Sequence, residues 1–272
     1  MNWKKLAYPL GALGVAGASA LIYGSAVESR RIVLERVNLR LPGWPSRLNG
    51  HKIGFLADFH FRPGEPTDVA EQAIALVLDE EPETVVIGGD FVDSWSADVI
   101  DQVLETLSPL LLMSGNVIAV PGNHDHRPFV SPLEAICDSL NIRLLRNEAW
   151  RHNGITWIGI DSLNAGWNDE ERAFAGVSAD EAKIVLWHEP DAVDLLTHSA
   201  NLMLSGHSHG GQFILPGGFT PKHSSNGKKY PKGFYPEAPT PLYVTRGVGT
   251  TFLPSRLNCP PEATLLKLSS AD

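Results

Sequence analysis

Two histidines two residues apart, in Gly206-His207-Ser208-His209-Gly210-Gly211, are the part of this sequence best suited to chemistry. Imidazoles set among small, flexible residues make a poor core and a good chelate. Gly122-Asn123-His124-Asp125 adds an amide oxygen, an imidazole and a carboxylate that could accept a hydrogen bond from that imidazole. Gly88-Gly89-Asp90 ends on a carboxylate whose two oxygens can bridge two cations, while its glycines allow close backbone approach. Asp58-Phe59-His60 puts two ligand-capable side chains on one side of an extended chain, and Trp187-His188-Glu189-Pro190 offers one more histidine. Each motif alone has a bland reading, as a turn, a chance pair or a structural histidine. As a set of nitrogen and oxygen donors without a thiolate they fit Mn, Fe, Zn or Co better than Ca or a structural zinc.

Chemistry of this kind needs elements that bring five distant motifs together. Short β-rich apolar runs at 53–57, 84–87, 117–120, 184–187 and 202–204 read as strands covered on both faces, and each ends at one of these motifs. Between them, 67–78, 97–111, 132–140 and 191–196 carry apolar residues at helical spacing. Alternating strands and helices predict an α/β layered core, in which ligands gather beyond the carboxyl ends of the strands. Residues 31–41 alternate as an edge strand would. The stretch 143–160 reads as strands with an Asn153-Gly154 hairpin, which predicts a second, more antiparallel sheet. Residues 216–241, rich in Gly, Pro, Ser and Lys, are expected to be a long surface loop.

The 272 residues suffice for one substantial core, and a formal net charge of -9 argues against nucleic acid as a partner. Two cysteines, Cys137 and Cys259, define neither a disulfide framework nor a compartment. Residues 6–27 carry no charged side chain, which predicts that 1–30 form an N-terminal transmembrane anchor or signal segment ahead of a domain at 31–272. Ala18-Ser19-Ala20 would suit signal cleavage, giving a secreted or periplasmic product. Lys4 and Lys5 on one flank and Arg30, Arg31, Arg36 and Arg40 on the other leave the side of the membrane open.

The ordered series Asp-x-His, Gly-Asp, Gly-Asn-His-Asp, His and Gly-His-x-His resembles the calcineurin-like metallophosphoesterases, with every element present from Asp58 to His209. Gly-His-Ser-His-Gly-Gly-Gln and the later Arg246-Gly-Val-Gly-Thr-Thr, Arg256 and Pro261-Glu262 are similar to a membrane-associated bacterial branch of that superfamily. The resemblance implies a four-layer α/β/β/α sandwich with two mixed sheets. It implies two divalent or trivalent metal ions, one on Asp58, His60, Asp90 and His209, the other on Asp90, Asn123, His188 and His207, with Asp90 bridging. A metal-bridging hydroxide would attack a phosphoester in line, with His124 facing the phosphoryl group and Asp125 either setting its tautomer or only capping a turn. Asp93 is a further candidate to support the site, with an exposed helix-start role as its alternative. The implied partner is an anionic phosphoester, free or lipid-linked, with the membrane reached through the N-terminal segment. Within this branch the alternative activity is a UDP-2,3-diacylglucosamine pyrophosphatase, and the alternative class is a non-catalytic metal-binding scaffold. Lys222, Lys228, Lys229 and Lys232 could make the 216–241 loop a basic lid. For Arg246 and Arg256 structural hydrogen bonding is preferred over a grip on phosphate.

Overall fold

The period-2 alternation of the predicted strands is visible in what each side chain touches. On the strand Thr84–Ile87, Val85 and Ile87 face one apolar core while Val86 faces another. On Lys183–Trp187, Ile184 and Leu186 join the second of these cores, and Val185 and Trp187 join a third. Strands buried on both faces of this kind require layers on either side.

The computed structural model describes residues 3–113, 115–127 and 131–271. Its elements in chain order are α1 (Trp3–Ala26), β1 (Val33–Leu41), β2 (Lys52–Leu56), α2 (Asp68–Leu78), β3 (Thr84–Ile87), α3 (Ala97–Leu107) and β4 (Val117–Ala119). They continue with α4 (Ser131–Ser139), β5 (Ile142–Leu144), β6 (Glu148–His152), β7 (Ile155–Ile160), α5 (Glu170–Ala173), β8 (Lys183–Trp187) and β9 (Leu202–Ser205). The last three are β10 (Gly233–Tyr235), β11 (Leu242–Val244) and β12 (Glu262–Ser270).

Two six-stranded mixed sheets result, ordered β1-β12-β2-β3-β4-β5 and β10-β11-β9-β8-β7-β6. Helices α2 and α3 cover the outer face of the first through Ile74, Val77, Val103 and Leu107. The sheets meet through Phe55, Val86 and Ile118 against Trp157, Leu186 and Leu204. Short α5 and the turn Pro190–Asp194 close the far side. Phe55 is fully buried, so Phe55→Ala would open a cavity costing about 3–5 kcal/mol.

β1 is an edge strand as expected, paired with β12 along its length. The second sheet is more antiparallel than the first, in two pairings of five against one, though less so than its hairpin suggests. The hairpin at Asn153-Gly154 does join β6 and β7, and both turn residues have φ near the left-handed region, at 51° and 77°. Yet β7, β8, β9 and β11 run parallel, and antiparallel pairing is confined to the edges β6 and β10. The local hairpin signal does not report the crossovers that follow it. Residues 216–241 form the expected long connection but hold the short strand β10.

The N-terminal segment also departs from expectation. Helix α1 runs through Pro9, but among the described residues no helix is long and apolar enough to cross a membrane. Its sequence holds twice as many Gly, Ala and Ser as Leu, Ile and Val, twelve against six. Its last turns dock on the domain: the Ser255 hydroxyl donates to the Leu21 carbonyl at 3.3 Å and Arg256 N–H to the Gly24 carbonyl at 3.2 Å. A Cβ at Gly24 would collide with Ser255 and Arg256. Just beyond, the buried Glu28 carboxylate accepts the Cys259 N–H at 2.7 Å.

One surface cluster carries a pH prediction. Arg151 from β6 grips Glu181 with two bonds of 2.8 Å, and the Thr156 hydroxyl and Ser178 N–H also donate to that carboxylate. These donors, Arg151 first, pull the Glu181 carboxyl down to about 2. A depressed carboxylate stabilises the fold above its unfolded-state value, roughly 4.3, and the contribution fades as pH falls towards the folded value. The melting-temperature gap between wild type and Glu181→Gln is therefore expected to narrow between about pH 5 and pH 3. A gap that stays constant over that range would contradict this.

Candidate metal centre

The carboxyl ends of β2, β3, β4, β8 and β9 deliver Asp58 and His60, Asp90, Asn123 and His124, His188, and His207 and His209 to one place. Apart from Asn123 and His124 these side chains belong to buried residues, 7% exposed or less. Left-handed backbone marks the convergence: Asp58, His60, Asp90, His207 and His209 all have φ between 50° and 66°. Each such residue costs of order 1 kcal/mol, and strain of this kind persists only where the surroundings impose it. The strand ends themselves touch. Gly89 has φ 94°, and a Cβ there would lie 2.6 Å from Gly122 N, while a Cβ on Gly122 would collide with Asp90.

Asp90 stands at the middle of the cluster. Its Oδ2 lies 3.4 Å from His60 Nε2 and 3.1 Å from His188 Nε2, and its Oδ1 accepts the His124 backbone N–H at 2.8 Å. Asp58 Oδ1 is 3.5 Å from His209 Nε2 and 3.9 Å from the Nε2 atoms of His60 and His188. The Nε2 atoms of His60 and His209 face each other at 3.0 Å. Asp58, His60 and His209 thus offer donor atoms within 4.8 Å of one another, and so do Asp90, His188 and His207. Among the described residues the buried Asn123 Oδ1 has no hydrogen-bond partner.

His188, His207 and His209 are oriented by what holds their other ring nitrogen, whereas the buried His60 Nδ1 has no hydrogen-bond partner among the described residues. His188 Nδ1 lies 2.6 Å from the Gly88 carbonyl, leaving Nε2 towards Asp90. His207 Nε2 is tied to the Ser225 carbonyl at 2.6 Å and sits 3.1 Å from Asn164 Nδ2. His209 Nδ1 lies 3.4 Å from an Arg256 nitrogen, leaving Nε2 towards His60. Asn164 is placed by Glu189, a fully buried carboxylate accepting from Ser162 Oγ, Leu163 N–H and Asn164 N–H at 2.5–3.1 Å.

The donor chemistry suits metal. Burial holds the His60 and His209 imidazoles well below their usual range, and burial with the charge of His188 lowers His207, so these rings are neutral and ligand-ready. Burial pushes the Asp58 carboxyl up to about 7. Burial works against the charged forms of Asp90 and His188 too, but their mutual attraction outweighs it, lowering Asp90 and raising His188. Two carboxylates and several imidazoles packed out of water are a costly arrangement that divalent cations would offset.

Asp125 takes the turn-capping alternative and does not touch His124. Its carboxylate accepts the N–H groups of Asp90 and Phe91 at 2.9 Å, Gly122 at 2.8 Å and Val92 at 3.4 Å, binding the β3 and β4 loops from beneath. Burial, then the charge of Asp90, pushes it up to about 8 against the pull of those donors. The residue facing His124 is Asp93, whose carbonyl lies 3.0 Å and whose Oδ1 lies 3.3 Å from His124 Nδ1. A carboxylate adjacent in sequence points away because the turn that presents His124 folds Asp125 inward. Arg62 was not anticipated either: its guanidinium donates to the Thr250 carbonyl at 2.8 Å and reaches Asp93 at 3.5 Å. Its place two residues after His60 was the available signal.

Arg256 is fully buried and spans the carbonyls of Arg246, Gly247, Gly249 and Cys259. Arg246 pairs with Glu35 at 2.8 Å and Glu262 at 3.1 Å. Both arginines are structural, as preferred from the sequence. In the 216–241 loop, Lys229 is committed to Asp194 at 2.7 Å and Lys222 lies 4.8 Å over the Phe252 ring. The loop nonetheless meets the centre through Ser224, whose hydroxyl donates to the His207 carbonyl at 3.0 Å, and through the Ser225 carbonyl.

The calcineurin-like phosphoesterase family matches residues 51–211. A Helicobacter pylori protein named an uncharacterized metallophosphoesterase is 32% identical over 80% of this chain and 59% of its own length, so the chain spans under two thirds of that relative. The Escherichia coli phosphodiesterase YaeI is 30% identical over 86% of this chain and 88% of its own. The Chlamydia trachomatis UDP-2,3-diacylglucosamine pyrophosphatase LpxG is 25% identical over 90% and 92%. With its strand-end donors and this family pattern over more than half its length, the chain belongs to the calcineurin-like metallophosphoesterases, hydrolases of phosphoric esters.

Proposed function

We propose that this protein hydrolyses phosphodiesters at a centre of two metal ions. The observation that carries the reading is the position of Asp90 Oδ2, within 3.4 Å of one histidine from each of the two donor groups. Asp58, His60, Asp90 and His209 would hold one ion, and Asp90, Asn123, His188 and His207 the other. Such ions, when bound, supply Lewis acidity towards phosphoryl oxygens and lower the pKa of water. His124 then serves the leaving oxygen: with Nδ1–H donating to the Asp93 carbonyl, Nε2 is the atom left to carry a proton to it. Asp93 Oδ1 lies 3.3 Å from the same Nδ1 and helps to fix the orientation of the ring.

Asp93 is thus a positioning residue. Asp93→Ala is expected to lower kcat about 10- to 100-fold, the usual loss on removing such support, with metal content retained. Loss of metal instead would place Asp93 among the ligands. The function itself is tested with the Mn-loaded full chain on bis-p-nitrophenyl phosphate and p-nitrophenyl phosphate. Diester turnover abolished by chelation is expected. A fully metal-loaded protein inert towards both esters would favour a scaffold, although no member of the expected donor set is missing from the sequence.

A second reading is cleavage of a lipid-linked nucleotide diphosphate, supported by the likeness to LpxG over most of both chains. Attachment to a lipid surface through the uncharged N-terminal stretch fits this reading, and Val15 and Ile22 of α1 are 68% exposed. Turnover of UDP-2,3-diacylglucosamine well above that of the simple diester would select it.

A further inference from the structure

A cavity of about 290 Å³ opens from the metal-centre residue His60 and ends against the N-terminal segment. Its lining includes Ser25, Ser29 and Arg30 from the N-terminal segment, Val69 from α2 and Gln102 from α3. Its apolar lining comes from Phe61, Val248 and Pro254 as well, beside polar and charged side chains. The charged lining cancels, Arg30 and Arg62 against Glu65 and Asp68, and Arg62 is already engaged by Glu65, Asp93 and Thr250. An anionic group gains little there. Flanking the wall residues in the chain, Val27, Phe252 and Leu253 are exposed apolar side chains.

The N-terminal wall is fixed in place. Leu21 and Gly24 carbonyls are bonded to Ser255 and Arg256, Gly24 has no room for a Cβ, and Glu28 is buried on Cys259. The same 255–259 stretch reaches His209 through Arg256, so wall and metal centre share one support.

Resting on the proposed hydrolysis, we propose that the cavity is a substrate subsite, completed by Ser25 and Ser29, for an uncharged apolar arm of the phosphoester. The phosphoryl group sits at the metal centre and the arm lies between α2 and the last turn of the N-terminal segment, leaving past Pro254. The substrate class is therefore an amphiphilic phosphoester, and the N-terminal segment is part of the binding site as well as a lead into the domain.

Calorimetric titration of the Mn-loaded full chain with octylphosphonate and methylphosphonate tests this without turnover. Octylphosphonate is expected to bind at least about tenfold tighter, the gain from burying roughly two methylenes. Ser29→Trp, and independently Ser25→Trp, should collapse that ratio to near one, whereas Leu112→Trp, at an exposed position outside the cavity lining, should keep it. Equal affinities in the wild type, or a ratio that survives both wall variants, would overturn the subsite. An octyl preference that persists when metal is withheld, with methylphosphonate affinity unaffected by metal, would keep the subsite and overturn the metal reading instead. Binding of neither phosphonate would overturn both.

Discussion

Replacing Asp90 with asparagine is expected to lower kcat/KM for a phosphodiester by about a thousandfold or more, the scale of losing one preorganised charge at the reacting centre. The substitution keeps the size and the acceptor for His124 N–H but removes the charge that stands between His60 and His188. A neutral amide cannot bridge two cations as a carboxylate does, so bound metal should fall from about two equivalents to one or fewer. His124→Ala should instead leave the metal in place and reduce turnover alone. An Asp90→Asn protein that keeps full activity would remove Asp90 from the centre of the account.

Arg256→Met is expected to destabilise the fold by about 3–5 kcal/mol, the usual cost of breaking a buried charged network by one partner. The guanidinium is fully buried and held below its ordinary pKa by that burial, yet it satisfies four backbone carbonyls at once. Methionine fills the volume and leaves those carbonyls unpaired, each with a desolvation cost of about 1–3 kcal/mol. The melting temperature should drop by roughly 10 °C, at about 2–4 °C per kcal/mol for a domain of this size. Activity should fall as well, because the same guanidinium lies 3.4 Å from His209 Nδ1. A melting temperature within a degree or two of wild type would show that water replaces the guanidinium without cost.

These two residues also mark how far the sequence can be read. Asp90, with the other strand-end donors, is legible because strand periodicity places a run's last residues beyond the sheet, and small residues around them leave no other use. The helices of the first sheet are legible for the same reason, and Ser96 caps α3 with its hydroxyl accepting the Val99 N–H. Partners across loops are not. Whether Asp93 or Asp125 faces His124 depends on the left-handed turn at Asp90 and on contact between Gly89 and Gly122, which no local pattern encodes. Glu189, beside His188, orients a loop that orients His207, a relation visible only in three dimensions. The parallel run of the second sheet and the docking of α1 on Ser255 and Arg256 depend on crossovers and long-range contact, which neither the local hairpin nor the uncharged stretch encodes.

The central claim is tested most directly by anomalous diffraction from crystals of the Mn-loaded full chain, recorded at the manganese edge. Two peaks about 3.5–4 Å apart, with the Asp90 carboxylate between them, are predicted. A single peak, or peaks that do not touch Asp90, would contradict the two-metal account.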